Sequence, residues 1–156
     1  MPAGYGYVVR LAPTALTTAL TLVQVKAGSA AGLFILSARV YQVTKTSTEL
    51  LKVQVLRKTG AATVTSFTPL KLNSGDPSAL CVGGTSATGI TATNEGTDGD
   101  ILAETVWNIL NGEWLYLPVP EERIWVPAAG IAAVKLATAP AASMSVGCDL
   151  HILEMQ

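Results

Sequence analysis

The sequence predicts an all-β protein: an antiparallel β-sandwich, or jelly roll, of about eight to ten strands. Three observations carry that prediction. Short runs of alternating apolar and polar residues recur along the chain, the pattern of strands with one face in a core. Clusters of Gly, Pro, Asn and Asp punctuate those runs as turns do. No stretch sustains the 3.6-residue stripe of an amphipathic helix. A chain of 156 residues suits one domain, 1–156, with a core that needs no disulfide staples.

Residues 1–14, opening with the tyrosines of GYGY, read as an N-terminal arm able to lie across a neighbouring subunit. Leu20 to Val25 and Leu33 to Thr44 read as strands. In Leu50 to Lys58, Leu51, Val53 and Val55 go one way, and Lys52, Gln54 and Lys58 the other. Thr63 to Leu72 reads as a further strand, limited by Pro69, which has no N–H to give a ladder. Asn73 to Pro77 is a turn by composition. Residues 83–100, GGTSATGITATNEGTDGD, are small and polar throughout and read as a long central loop. Strands resume at Ile101 to Leu110, Asn111-Gly112 signals a tight hairpin, and Glu113 to Leu117 returns. Arg123 to Val126 is a short extended segment among prolines, and Ile131 to Ala139 leads to Pro140. In the last strand Met144, Val146, Cys148, Leu150 and Ile152 point to the core, with Ser145, Gly147, Asp149 and His151 opposite.

Hydrophobic residues make up 49% of the chain and charged residues 13%, about half the usual charged share of a soluble domain. Apolar surface is therefore expected to be covered by copies of the chain or by a partner. The best apolar run, Ala30 to Ala38, falls far short of a membrane span, and no signal peptide is evident, so no membrane partner is expected. A net charge of −1 implies no attraction to nucleic acid. The charges are unevenly spread. Up to Lys71 there are eight bases and Glu49 as sole acid; from Leu72 onward there are ten acids against Arg123 and Lys135. Either residues 39–71 present a basic face to an anionic partner, or interleaved strands mix the two halves.

Catalytic candidates are scarce. His151 is the only histidine and lies two residues from Asp149 on the outward face, with no nucleophile to serve; an enzyme would need it in a cleft beside other carboxylates. No catalytic residue, metal ligand or cofactor is assigned. Oxygen ligands from Asn94 to Asp100 lack the frame of a calcium loop. Cys81 and Cys148 read as free thiols. Trp107, Trp114 and Trp125 with Tyr116 would make a sugar-stacking platform only if at least two of the tryptophans were exposed together.

Two stretches carry a resemblance: VQVLRKTGAATVTSFTPLKLNSGDPSA from Val53 to Ala79, and WLYLPVPEERIWVPAAGIAA from Trp114 to Ala133, followed by VGCDLHILE. This layout resembles the jelly-roll head decoration (cement) proteins of tailed bacteriophages. The resemblance implies a non-enzymatic virion protein, made in the host cytoplasm and carried on the capsid surface. It would act as a homotrimer that binds the major capsid protein and clamps neighbouring capsomers. The alternative is a tail or fibre component that binds carbohydrate or another virion protein. Partner-binding residues on the first reading are Tyr5 and Tyr7 in the arm, Arg39, Arg57 and Lys58 on the basic face, Ile90, Asn94, Glu95 and Asp98 in the loop, and Trp125.

Overall fold

A computed structural model of the protein describes residues 4–156. It is all-β, with twelve strands among the described residues: β1 (Gly4–Leu16), β2 (Leu20–Lys26), β3 (Leu33–Gln42), β4 (Leu50–Gly60), β5 (Thr63–Ser66), β6 (Leu70–Lys71), β7 (Gly89–Asn94), β8 (Thr97–Asn108), β9 (Trp114–Tyr116), β10 (Trp125–Val126), β11 (Ile131–Leu136) and β12 (Met144–Met155). One 3-10 turn, Pro120–Glu122, interrupts them.

The topology is that of a long antiparallel hairpin rolled into a sandwich. Its arms pair from the ends inward: β1 with β12, β2 with β11, β3 with β9 and β10, β4 with β8, and β5 with β7. Rolling then adds the lateral contacts β3·β12, β4·β11, β2·β7 and β1·β6. Sheet A runs β10-β3-β12-β1-β6, with β9 also on β3; sheet B runs β5-β7-β2-β11-β4-β8. This is a jelly roll, with β5 to β7 extending the sheets at the tip of the hairpin.

The inward residues of both sheets make one core, including Val9, Leu22, Ile35, Val40, Val53, Val134, Leu150 and Ile152, all fully buried. Each such side chain contributes roughly 1.5–3 kcal/mol of transfer free energy. Cys148 and Cys81 are free and buried in the same core.

Four expectations are corrected. Residues 1–3 of the expected arm lie outside the described residues, but β1 is no arm. It is an inner strand of sheet A, and Tyr7, Val9 and Leu11 on its inward face are buried. The segment 63–72 is not one strand: Pro69 divides it, and β5 and β6 belong to different sheets. The stretch 83–100 is not a long loop, since it holds β7 and the start of β8. Its small residues answer a steric demand. A Cβ on Gly83 would meet the Phe67 carbonyl oxygen at 2.7 Å, and one on Gly89 would strike the Thr65 carbonyl. Asn111-Gly112 does turn the chain, with Gly112 at φ +95°, but it joins sheet B to sheet A instead of closing a hairpin.

Candidate functional site

With the core filled, the chemistry lies on the outer faces of the two sheets. On sheet B, the corner between β7 and β8 carries Glu95 and Asp98 across β2, β11 and β4. The Thr21 N–H and hydroxyl donate to the Glu95 carboxylate at 2.8 and 2.7 Å. Lys58 Nζ donates to the Glu95 backbone carbonyl at 2.7 Å and to Asp98 Oδ1 at 2.6 Å, and Lys135 Nζ donates to Asp98 Oδ2 at 2.6 Å. The Lys58 side chain is fully buried, so its charge is tolerable only because these oxygens surround it. Burial works to raise the Asp98 pKa, but the hydrogen bonds from Lys135 and Lys58 outweigh it and hold the carboxyl below its ordinary value. Burial likewise works to lower the Lys135 pKa, and its bond to Asp98 reverses that and raises it. The two ammonium groups occupy the oxygens that a cation would need, and among the described residues no three His, Cys, Asp or Glu side chains gather as metal ligands.

On sheet A, Arg10, Asp149 and Arg39 stand in register on β1, β12 and β3. Arg10 Nε lies 3.3 Å from Asp149 Oδ1, Arg39 Nη2 pairs with Asp149 Oδ2, and Arg39 Nε reaches Glu113 at 3.4 Å. The sequence asymmetry is thus dispersed: Lys58 with Asp98, Arg39 with Asp149 and Lys52 with Glu104 each join the two halves of the chain. His151 Nδ1 lies 3.3 Å from Ser37 Oγ on the open sheet face. Burial, followed by the charge of Glu154, pushes the Cys81 thiol up, and burial with Asp149 does the same to Cys148. Neither thiol is a nucleophile at neutral pH.

The expected partner-binding residues divide. Tyr7 is fully buried and donates its hydroxyl to the Pro77 carbonyl at 3.0 Å, so it is a core residue; Tyr5 packs against that core. Lys58 is spent in the cage on sheet B. Glu95 and Asp98 hold it, and Asn94 Oδ1 accepts from Gly96 N–H in the adjoining turn. Ile90 packs against the core from β7. Arg57 Nη2 donates to the Trp125 carbonyl at 3.4 Å. Arg39 and Trp125 remain on the surface; Trp125 is 40% exposed, its ring 4.7 Å from that of Phe34. Trp107 and Trp114 are buried, so the two exposed tryptophans that a sugar-stacking platform requires are not present together. The structure also shows what the sequence reading missed: Gln24 and Glu154, buried polar residues at strand positions. Glu154 accepts the N–H groups of Leu80 and Cys81 at 2.8 Å each. The signal available was a charged residue at an inward position of an otherwise apolar alternation.

Three of the best-formed surface clefts are small. One of 210 Å³ lies between Arg57, Asp100, Val126 and Ile131, and two of 270 Å³ flank Val82, below the roughly 300–1,000 Å³ of small-molecule sites. Among the described residues thirteen large hydrophobic side chains are nonetheless exposed, among them Leu70, Leu72, Leu115, Leu117, Val119 and Trp125.

No family model matches the sequence, and no curated protein matches it. Among solved structures, the chain is similar to the D431N mutant VP2 protein of infectious bursal disease virus in derived T=1 particles. The TM-score is 0.25 at 11% identity, over 97% of this chain and 40% of that one. It is also similar to the structure of the infectious bursal disease virus Gx strain, with TM-score 0.22 and 11% identity, over 99% of this chain and 41% of that one. The chain thus spans about two fifths of the length of these viral chains. At these scores the likeness carries no argument about function.

Proposed function

We propose that this chain is a non-enzymatic virion structural protein: a capsid decoration (cement) protein that binds the outer shell as a homotrimer and stabilises contacts between capsomers. The observation that carries the reading is the rolled-hairpin strand order, an architecture shared by viral capsid domains. The step from architecture to virion is analogy, because jelly rolls also serve lectins and cupins. Two further features favour the structural role. The exposed apolar side chains suit a subunit covered on several sides. The segments that carry the resemblance fall on β4 to β6 and on β9 to β11, where they supply strands and turns. Linked copies would bind a shell by multivalency, each contact weak and the sum strong.

The test is cosedimentation of the purified protein with shells of the major capsid protein of the same virus, followed by thermal dissociation of the shells. Saturable binding and a higher dissociation temperature are expected. Shells that neither bind the protein nor gain stability would overturn the proposal.

A further inference from the structure

The chain has four asparagines, and three of them are held in the same way. Asn73 Nδ2 donates to Asp76 Oδ1 at 3.1 Å, and its Oδ1 accepts the Gly75 N–H at 3.2 Å. Asn94 Oδ1 accepts the Gly96 N–H at 2.9 Å, and Asn108 Oδ1 accepts the Leu110 N–H at 3.1 Å. Each of these side chains is engaged by its own turn. Asn111 differs. Among the described residues no hydrogen bond holds its side-chain amide, and none holds the N–H of Gly112 after it. Both residues are exposed, and the space beside the Gly112 Cα is open. The other three asparagines precede Ser74, Glu95 and Ile109, whose side chains crowd the following nitrogen. The Ile109 N–H is also donated to the Glu49 carbonyl at 3.2 Å.

We propose that Asn111 is a modification site, where the side chain condenses with the backbone nitrogen of Gly112 and deamidates. The Gly112 nitrogen gives its proton to hydroxide and attacks Asn111 Cγ. The new N–Cγ bond closes a five-membered succinimide as the Cγ–Nδ2 bond breaks. The amide leaves as ammonia, with a proton drawn from water. Water then opens the ring at either carbonyl. Opening at Cγ leaves aspartate; opening at the main-chain carbonyl leaves isoaspartate, with the chain running through Cβ and Cγ. The sum is hydrolysis of an amide, with no redox step. Reacting groups on adjacent residues need no encounter, and glycine has no side chain to obstruct the ring. The site also has a route to the core. The indole N–H of Trp107, a core residue on β8, donates to the Gly112 carbonyl at 2.9 Å. Isoaspartate adds one carbon to the main chain just before Gly112, so that bond cannot keep its geometry. The change falls where the chain passes from sheet B to sheet A.

The test is peptide mapping of the folded protein by mass spectrometry during incubation at mildly alkaline pH, with aspartate and isoaspartate separated. Asn111 is expected to lose its amide at least about tenfold faster than Asn73, Asn94 and Asn108, a factor that one engaged hydrogen bond and a bulkier following residue together supply. Isoaspartate should accumulate at position 111, and tryptophan emission should shift in step with it. Asn111→Gln keeps the amide but forms no five-membered ring, and should abolish both changes. In urea the lead of Asn111 should narrow, because the other three asparagines lose their turn bonds. Retention of the Asn111 amide, equal loss at all four asparagines, or a lead unchanged in urea would overturn the proposal. Isoaspartate at 111 with unaltered tryptophan emission would overturn the link to Trp107.

Discussion

In β7 and at the corner that follows it, two residues five positions apart adopt left-handed backbone for different reasons. Gly96, at φ +64°, sits so close to the Gly60 and Ala61 carbonyls that a Cβ would collide with them. Thr91, at φ +46°, is a β-branched residue in a region that disfavours it, at the register shift where β7 bulges against β5. Gly96→Ala is therefore expected to cost about 1–3 kcal/mol, and Thr91→Gly to be neutral or mildly stabilising, as measured by urea unfolding. The cage around Lys58 makes a second test. Glu95→Gln/Asp98→Asn leaves a buried ammonium without its counter-charges, at an expected cost of about 3–5 kcal/mol. Adding Lys58→Met removes the stranded charge and should recover much of that loss. The pH dependence follows from the signs. The Asp98 pKa is depressed on folding, so its contribution is present above the ordinary carboxyl value of 3.8 and is lost as pH falls through its folded value. The Lys135 pKa is raised, so its contribution is present below 10.5 and is lost as pH rises through its higher folded value. Unfolding midpoints taken across pH should fall at both ends, and Asp98→Asn should flatten the acid limb.

At the scale of elements, the fifth strand pair, β5·β7, is where the fold departs most from an eight-stranded roll. Its corner is pinned by one buried amide: Gln24 accepts from Ala62 N–H at 2.8 Å and donates to the Ala87 carbonyl at 2.7 Å. Gln24→Leu strands the Ala62 N–H, with an expected cost of about 1–3 kcal/mol. Hydrogen exchange should speed up first in residues 63–66 and 89–94, while β12 keeps its protection. The elements also differ in how far the sequence discloses them. Leu51, Val53 and Val55 alternate cleanly because they line the core-facing side of β4, and the same holds for Met144 to Ile152 on β12. β7 gives no such signal, since Gly89 and Thr88 are selected for close approach to neighbouring backbone and leave no apolar alternation. β1 was hidden differently. Tyr5, Tyr7, Val9 and Leu11 do alternate, but the glycines on its outer face resemble a flexible terminus. The cage on sheet B was legible only as charged residues far apart in sequence. Register, which no local pattern records, brings Lys58 and Asp98 together across 40 positions.

For the whole molecule, the rolled hairpin explains why ends distant in sequence are neighbours in space. β1 lies along β12, and ionic pairs join the basic first half to the acidic second half. Little net charge is left to steer association, so the proposed assembly would rest on exposed apolar side chains such as Leu115 and Leu117. The threefold association proposed for the shell depends on those exposed apolar side chains. The measurement that tests self-association most directly is native mass by light scattering over a dilution series. The account predicts a trimer that survives dilution. A monomer at every concentration, or a dimer that never exceeds two chains, would contradict it.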